Sequence, residues 1–286
     1  MVNFQRCMYT EPELQECASL FSVCFPAAKK LADVAYLRWL YVENPCGPVV
    51  GFNARHGERL VAHYVCIPMS VAIDGQVRRA LLSLNTASHP EFQGKGLFTQ
   101  LAEMTYAAGA EEGMEFVYGV ANANSTPGFV RKLGFSLVAP LESRIGFGRL
   151  GAFDWPRLSQ LARFQQAWTK YSLSWRIRNP AAAVLCHRRD QHAFCVSADS
   201  GRAGLRAWAE LPLIGGALPE SIVTAPMSLR VWLGLMPASL GKFAFFANLP
   251  QRFRPSPLNL IVRGLQGSLS LAPEDVFFSF LDFDAF

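Results

Sequence analysis

His89-Pro90-Glu91-Phe92-Gln93-Gly94-Lys95-Gly96-Leu97-Phe98 is the stretch on which the fold turns. It follows an aliphatic run, Leu81 to Ser88, and precedes a helical pattern with Leu97, Leu101, Met104 and Ala108 on one side. A strand that passes through two close glycines into a helix leaves backbone N–H groups free at the helix N-terminus, where the dipole favours negative charge. Gly94 and Gly96 permit positive φ and close approach of a ligand to the backbone, and Lys95 adds a cation. The stretch therefore reads as an anion-binding junction. It is not a Walker loop, which needs Gly-Lys-Ser/Thr at another spacing, and it is not a dinucleotide fingerprint.

Outward from this junction the chain alternates between the two periods. Residues 2–8 suit a first strand. A helix opens at Glu11-Pro12-Glu13 with Thr10 as its cap and Leu14, Cys17, Ala18 and Phe21 on one face. A second helix, about 32–42, stops at Asn44-Pro45. Val49 to Asn53, Leu60 to Ile73 and Val77 to Ser88 read as an antiparallel meander, with Asp74-Gly75 as a hairpin turn. After the junction come a helix ending at Glu112-Gly113, a strand from Phe116 to Ala121, a short helix from Thr126 to Leu133 closed by Gly134, and a strand from Phe135 to Ile145. The order describes an α+β fold with a mixed α/β sheet.

The second half begins with a helical connector from Asp154-Trp155-Pro156 to about Ser172. It then echoes the first half. Trp39-Leu40-Tyr41-Val42-Glu43-Asn44-Pro45 returns, one residue shorter, as Trp175-Arg176-Ile177-Arg178-Asn179-Pro180, and each copy precedes a strand-like segment. This suggests an internal duplication whose second copy lacks the glycine loop. The expected division is 1–150 and 151–286. The apolar segment Leu229 to Phe246 reads as buried core, and the terminal Asp282-Phe283-Asp284 as exposed carboxylates.

Composition limits the function classes. The chain has 286 residues, 51% hydrophobic and 17% charged, which suits large buried cores and excludes disorder. The net charge of +5 is scattered, without the basic run that nucleic acid requires. No apolar run reaches the ~20 residues of a membrane-spanning helix, and the N-terminus opens no signal peptide. Seven cysteines without C-x-x-C spacing fit reduced thiols in a cytoplasmic protein. Cys66 lacks an identifiable histidine partner and reads as core rather than nucleophile.

The run from His89 to Phe98, followed by Asn124 through Arg131-Lys132-Leu133-Gly134-Phe135, resembles the two signature motifs of the GNAT N-acetyltransferase superfamily. Gln93 and Gly96 match that family's Arg/Gln-x-x-Gly-x-Gly/Ala loop, while Phe98 stands where a small residue is usual. The resemblance implies a GNAT fold, with two GNAT-like domains in tandem, and acetyl-CoA or another acyl-CoA as donor. It places the pyrophosphate on Gln93, Gly94, Lys95 and Gly96, continuing to Leu97 and Phe98, the pantetheine arm beside Ala87 and Ser88, and Asn124 in the second motif. It also implies a gap between the strands Leu81–Ser88 and Phe116–Ala121, backbone N–H stabilisation of the thioester oxyanion, and direct attack by the amine.

The resemblance also marks a departure. The tyrosine that reprotonates the thiolate in many members falls here on Val130. Tyr118 is the substitute best suited by residue type, ahead of Asn124, Ser125 or water. Candidate bases for the amine proton are Glu43 and His63, with His89 and Glu91 behind them. The Trp39-to-Pro45 segment and the chain's last residues are similar to long tandem members that modify polysaccharides and lipids. That similarity implies a small amine acceptor, such as an amino sugar or a nucleotide-linked one. The alternatives are a non-catalytic CoA-binding protein and a long-chain N-acyltransferase served by acyl-carrier protein.

Overall fold

The structure is a computed structural model that describes residues 1–215, 222–250 and 257–285. In the first half, β1 (Val2–Arg6) leads into α1 (Glu11–Cys24) and α2 (Val34–Tyr41). The meander β2 (Val50–His56), β3 (Arg59–Ile73) and β4 (Gln76–Ser88) follows, then α3 (Leu97–Glu111), β5 (Phe116–Ala121), α4 (Thr126–Lys132), β6 (Ser136–Pro140) and β7 (Glu142–Gly146). The second half continues with β8 (Gly151–Phe153), α5 (Leu158–Leu161), β9 (Phe164–Gln166), α6 (Lys170–Ile177), β10 (Leu185–Arg188), β11 (Ala193–Arg202) and β12 (Leu205–Pro212). It ends with β13 (Leu229–Leu235), β14 (Gly241–Phe243), β15 (Phe246–Asn248), β16 (Asn259–Gly264) and β17 (Phe278–Ser279).

Local sequence explains the boundaries. Asp33 caps α2 by accepting the Ala35 N–H at 2.8 Å. Asp74 and Gly75 both adopt positive φ, 50° and 76°, in a two-residue hairpin that pairs Ile73 with Gln76. This is the primed turn that matches strand twist. Gly134, at φ 65°, ends α4, and the Phe135 N–H reaches back to Phe129 O at 3.2 Å.

Two sheets result. The first runs β1-β2-β3-β4-β5-β16-β6, with β9 attached to β3; the second runs β10-β11-β12-β13-β7-β15, with β17 attached to β13. Each has one parallel pair of neighbours, β4 with β5 and β12 with β13. Just beyond that pair, each sheet accepts a strand from the other half. β16 enters between β5 and β6, antiparallel to both, and β7 enters between β13 and β15, antiparallel to both. The halves thus exchange strands, and the expected division at residue 150 cuts across both sheets.

The structure corrects three local expectations. Phe135 to Ile145 is two strands rather than one, because the chain leaves the first sheet at Leu141, whose N–H bonds Leu258 O at 2.7 Å, and enters the second. The connector from residue 154 to 172 is broken into a 3₁₀ turn, α5, β9 and the start of α6, because β9 pairs with the end of β3. Asp282 is buried, at 1% exposure, not exposed. It accepts hydrogen bonds from the Ser279 N–H and hydroxyl and from Trp168 Nε1, while burial pushes its carboxyl up to about 6. Asp284 is also mostly buried and pairs with Lys30 at 2.8 Å.

The first sheet separates two cores. Phe116 and Tyr118 pack with Leu14, Phe21 and Tyr36 on the α1–α2 face, a core that also takes in Trp175 and Phe278 from the second half. Val117 and Ala121 pack with Leu101, Tyr106 and Phe129 on the α3–α4 face. Alternation along β5 sends successive side chains into different cores.

Candidate functional site: a cleft where two parallel strands part

β4 and β5 are paired only from Ala80–Phe116 to Ser83–Gly119. A Cβ on Gly119 would stand 3.1 Å from Ser83 Cβ, so glycine permits the last rung to close tightly. Beyond it β4 turns away through a bulge, where one extra residue lies between Leu84 and Ala87 relative to β3. Asn85 sits in this bulge at φ 49°, a conformation that asparagine tolerates better than most residues.

The parting strands open a cavity of about 630 Å³. Ser83 to Thr86 form one wall and Gly119 to Asn122 the other; the α4 segment closes one end, and β16 contributes Ile261. Leu84 and Val120 belong to the α1–α2 core and Phe98, Phe129 and Ile261 to the α3–α4 core, so the opening crosses the sheet. Phe98, in place of a small residue, packs edge-on to Phe129 at 5.2 Å and to Tyr64 at 5.9 Å.

The glycine loop adjoins this cavity through Phe98. Gly94 and Gly96 take φ of 74° and 75°, and Gly96 directly precedes α3. A Cβ at either position would meet nothing, so positive φ rather than crowding selects glycine there. The first helical bond is Gln100 N–H to Gly96 O at 3.1 Å, which leaves the N–H groups of Leu97, Phe98 and Thr99 ahead of the ladder. Residues 93–96 are exposed. The Lys95 ammonium lies 4.2 Å from the centre of the Phe92 ring. Gln93 donates to Ser88 O at 3.3 Å and ties the loop to the end of β4. Ala87 pairs with His63. Asn124 is exposed at the cavity's α4 end, its N–H bonded to Asn122 Oδ1 at 3.0 Å.

The three residues expected to move protons stand elsewhere. Tyr118 is wholly buried on the α1–α2 face and donates to Gln166 Oε1 at 3.1 Å; burial holds its phenol well above the usual range. Glu43 is exposed just past α2. His63 is buried behind β4, and desolvation pushes it down to about 3, so it is neutral at working pH. None of the three lines the cavity, and among the described residues its lining carries no carboxylate, imidazole, phenol, thiol or amine. Among the residues considered behind them, His89 holds the turn before the loop, accepting the Glu91 N–H at 3.3 Å, and Glu91 pairs with Arg59 at 3.0 Å. Val130 is exposed on α4. Cys66 is buried and pushed up to about 12 by desolvation.

Sequence reading missed Asn85 and the groups behind it, Tyr41, Asn53 and Glu13. One signal was available: asparagine is depleted within strands, so Asn85 inside an aliphatic run marks a break or a function.

Comparisons with known proteins agree with this geometry. Residues 8–138 match the family model described as an acetyltransferase (GNAT) domain. A probable N-acyltransferase from Enterococcus faecalis V583 is similar in fold, with a TM-score of 0.63 at 13% identity over 93% of this chain and 73% of that one. A GCN5-related N-acetyltransferase from Kribbella flavida gives 0.61 at 14% identity over 92% and 72%. Another from Anabaena variabilis gives 0.60 at 12% over 92% and 73%. Comparison with curated proteins gives no match. Residues 8–138 thus match a GNAT acetyltransferase domain, and the chain shares the fold of these solved structures.

Proposed function

We propose that the protein transfers an acyl group from acyl-CoA to a small primary amine by direct attack. One observation carries this reading: a cavity that crosses the sheet where β4 and β5 part, adjoining the exposed amide loop before α3. The loop amides and Lys95 would hold the pyrophosphate. The open edge of β4 would hold the pantetheine arm and offer an N–H to the thioester oxyanion. The amine would enter from the α1–α2 face, and juxtaposition would supply much of the acceleration.

The described lining of the cleft carries no titratable group, and this shapes the proton steps. The amine arrives neutral and passes its proton to water. A thiol with pKa near ~8.5 leaves as thiolate at pH 7.5 for only about 1.4 kcal/mol, so water can reprotonate it without a dedicated acid. Amino sugars, including nucleotide-linked ones, head the acceptor panel on the strength of the Trp39-to-Pro45 likeness. The second half, in this proposal, is a duplicated copy without the loop that shapes the acceptor side, and the protein acts in the cytoplasm. The strand order of the second sheet and the paired Trp-to-Pro segments support the duplication.

Thiol release from acetyl-CoA across a panel of primary amines tests the reaction. Amine-dependent release supports it. CoA binding with no release from any amine favours a second reading, a CoA-binding protein without turnover, which Val130 in the usual tyrosine position supports.

A further inference from the structure

Behind the β4 bulge lies a chain of five side chains that the proposed reaction leaves without a role. Asn85 Nδ2 donates to the Tyr41 hydroxyl at 3.1 Å, and Tyr41 lies 3.0 Å from His63 Nε2. His63 Nδ1 lies 2.6 Å from Asn53 Oδ1, and Asn53 Nδ2 donates to Glu13 Oε1. The other Glu13 oxygen accepts from the N–H groups of Met8, at 2.7 Å, and Tyr9, at 3.0 Å. Tyr41, His63 and Asn53 are each at most 1% exposed, so every partner in the middle of the chain must match.

The direction of these bonds follows from one end. A carboxylate only accepts, so Asn53 faces Glu13 with its NH₂ and His63 with its oxygen. His63 must then carry its proton on Nδ1 and accept at Nε2. Tyr41 donates to Nε2, and its oxygen is left to accept from Asn85. Asn85 therefore spends its NH₂ on Tyr41, and its Oδ1 has no protein partner among the described residues, while the residue lines the cavity. Cys7 and Cys17 also lie near His63 Nδ1, at 3.9 and 3.7 Å, too far to displace the Asn53 oxygen.

We propose that Glu13, through Asn53, His63 and Tyr41, fixes the Asn85 carboxamide with its oxygen toward the cleft, as an acceptor for a ligand N–H. This rests on the acyl-CoA reading above. Two ligands bring such an N–H: the pantetheine amides and the incoming amine. In this role Asn85 binds the ligand, and Glu13, Asn53, His63 and Tyr41 are positioning residues. His63 is a fixed link of one polarity, not a base.

Nitrogen NMR on His63 tests the relay apart from any ligand. The wild type should show a protonated Nδ1 and a bare Nε2; a proton on Nε2 overturns the proposal. Glu13→Gln gives a sharper test. The Met8 and Tyr9 N–H groups require the glutamine oxygen, which turns its NH₂ toward Asn53 and inverts the chain. His63 should then move its proton to Nε2, and Asn85 should present NH₂ to the cleft. An unchanged tautomer in a folded variant counts against the relay.

Binding identifies the N–H donor. Asn85→Gly removes the carboxamide and relieves the positive φ, so folding is spared. Affinity for CoA about ten-fold weaker assigns the contact to pantetheine. Unchanged CoA affinity with a roughly ten-fold higher requirement for hydroxylamine, a minimal amine probe, assigns it to the acceptor. Glu13→Gln, remote from the cavity, should move the same quantity in the same direction. If neither quantity moves in Asn85→Gly, the proposal fails. A wild type that binds no CoA defeats the cofactor reading instead, and the His63 tautomer still decides the relay.

Discussion

Trp39 and Trp175 each donate their indole Nε1–H to the other's backbone carbonyl at 3.0 Å, and their rings stack with centroids 4.9 Å apart. The contact is reciprocal: what the first half does to the second, the second does to the first. Each tryptophan is followed by an Asn-Pro pair whose asparagine oxygen accepts the N–H two residues on, Cys46 at 3.1 Å and Ala181 at 2.9 Å. The exchange of β7 and β16 follows the same two-fold pattern.

This contact should bind the halves measurably. Trp39→Phe or Trp175→Phe keeps most of the stacked area but removes one buried indole bond, which costs about 1 kcal/mol. Trp175 O still accepts the Arg178 N–H at 3.1 Å, so Trp39→Phe should be the milder. Urea denaturation should show that loss for each variant. The double variant should lose less than the sum, since the two residues share one contact. Strict additivity would mean that the two bonds act independently.

The strand exchange predicts that the first half does not fold by itself. Residues 1–150 lack β16, which fills the place between β5 and β6, and its Arg263, which bonds Glu103 at 3.0 Å and Leu133 O at 2.8 Å. A chain of residues 1–150 should be insoluble or lack a cooperative unfolding transition. The same piece extended by a tethered copy of 257–285 should recover part of its folding. A stable, cooperative 1–150 fragment would contradict this reading of the sheet.

His63 makes stability depend on pH in a known direction. Its folded pKa of about 3 lies below the unfolded 6.5. As pH falls below 6.5 the unfolded chain binds a proton that the native one does not, so stability falls by roughly 1.4 kcal/mol per pH unit. Asp282, raised to about 6, acts in the opposite sense: its stabilisation is present at low pH and lost as pH rises. Comparison with His63→Gln isolates the histidine. The stability of the wild type relative to that variant should decline between pH 6.5 and 4.5, and a pH-independent difference would show that His63 titrates in the native state as it does in the unfolded chain.

Much of the first half was legible in the sequence because its signals are local. Asp74-Gly75 specifies its turn, Gly94 and Gly96 specify positive φ before a helix, and Gly134 ends α4. The exchange of β7 and β16 was not legible, since a strand of five or six residues carries no record of which sheet it joins. The same limit merged β6 with β7. At the site, the glycine loop could be read as a motif, whereas the relay from Glu13 to Asn85 spans 72 positions and is made of residues without a shared spacing. Tyr118 and His63 were attractive by chemistry alone. Their strands turn both into the α1–α2 core, where desolvation suppresses ionisation.

The absence of titratable groups among the described residues that line the cleft makes a kinetic prediction. With an acceptor amine, kcat/KM should rise with pH along the amine's own titration and then level off, without a limb assignable to an enzyme base. Exchanging one amine for another of different basicity should move the midpoint by the difference in their pKa values. A midpoint that stays fixed across amines would place a protein base in the reaction.

Acyl-CoA binding at the glycine loop remains the central claim, and titration calorimetry with acetyl-CoA tests it most directly. Gly96 holds φ of 75° where a side chain would be strained, and a glutamate would set negative charge against the pyrophosphate. The account predicts one acetyl-CoA per chain with a Kd of order micromolar, about −8 kcal/mol, and loss of that binding in a folded Gly96→Glu variant. No binding of acetyl-CoA or a longer acyl-CoA, or the same affinity in Gly96→Glu, would contradict it.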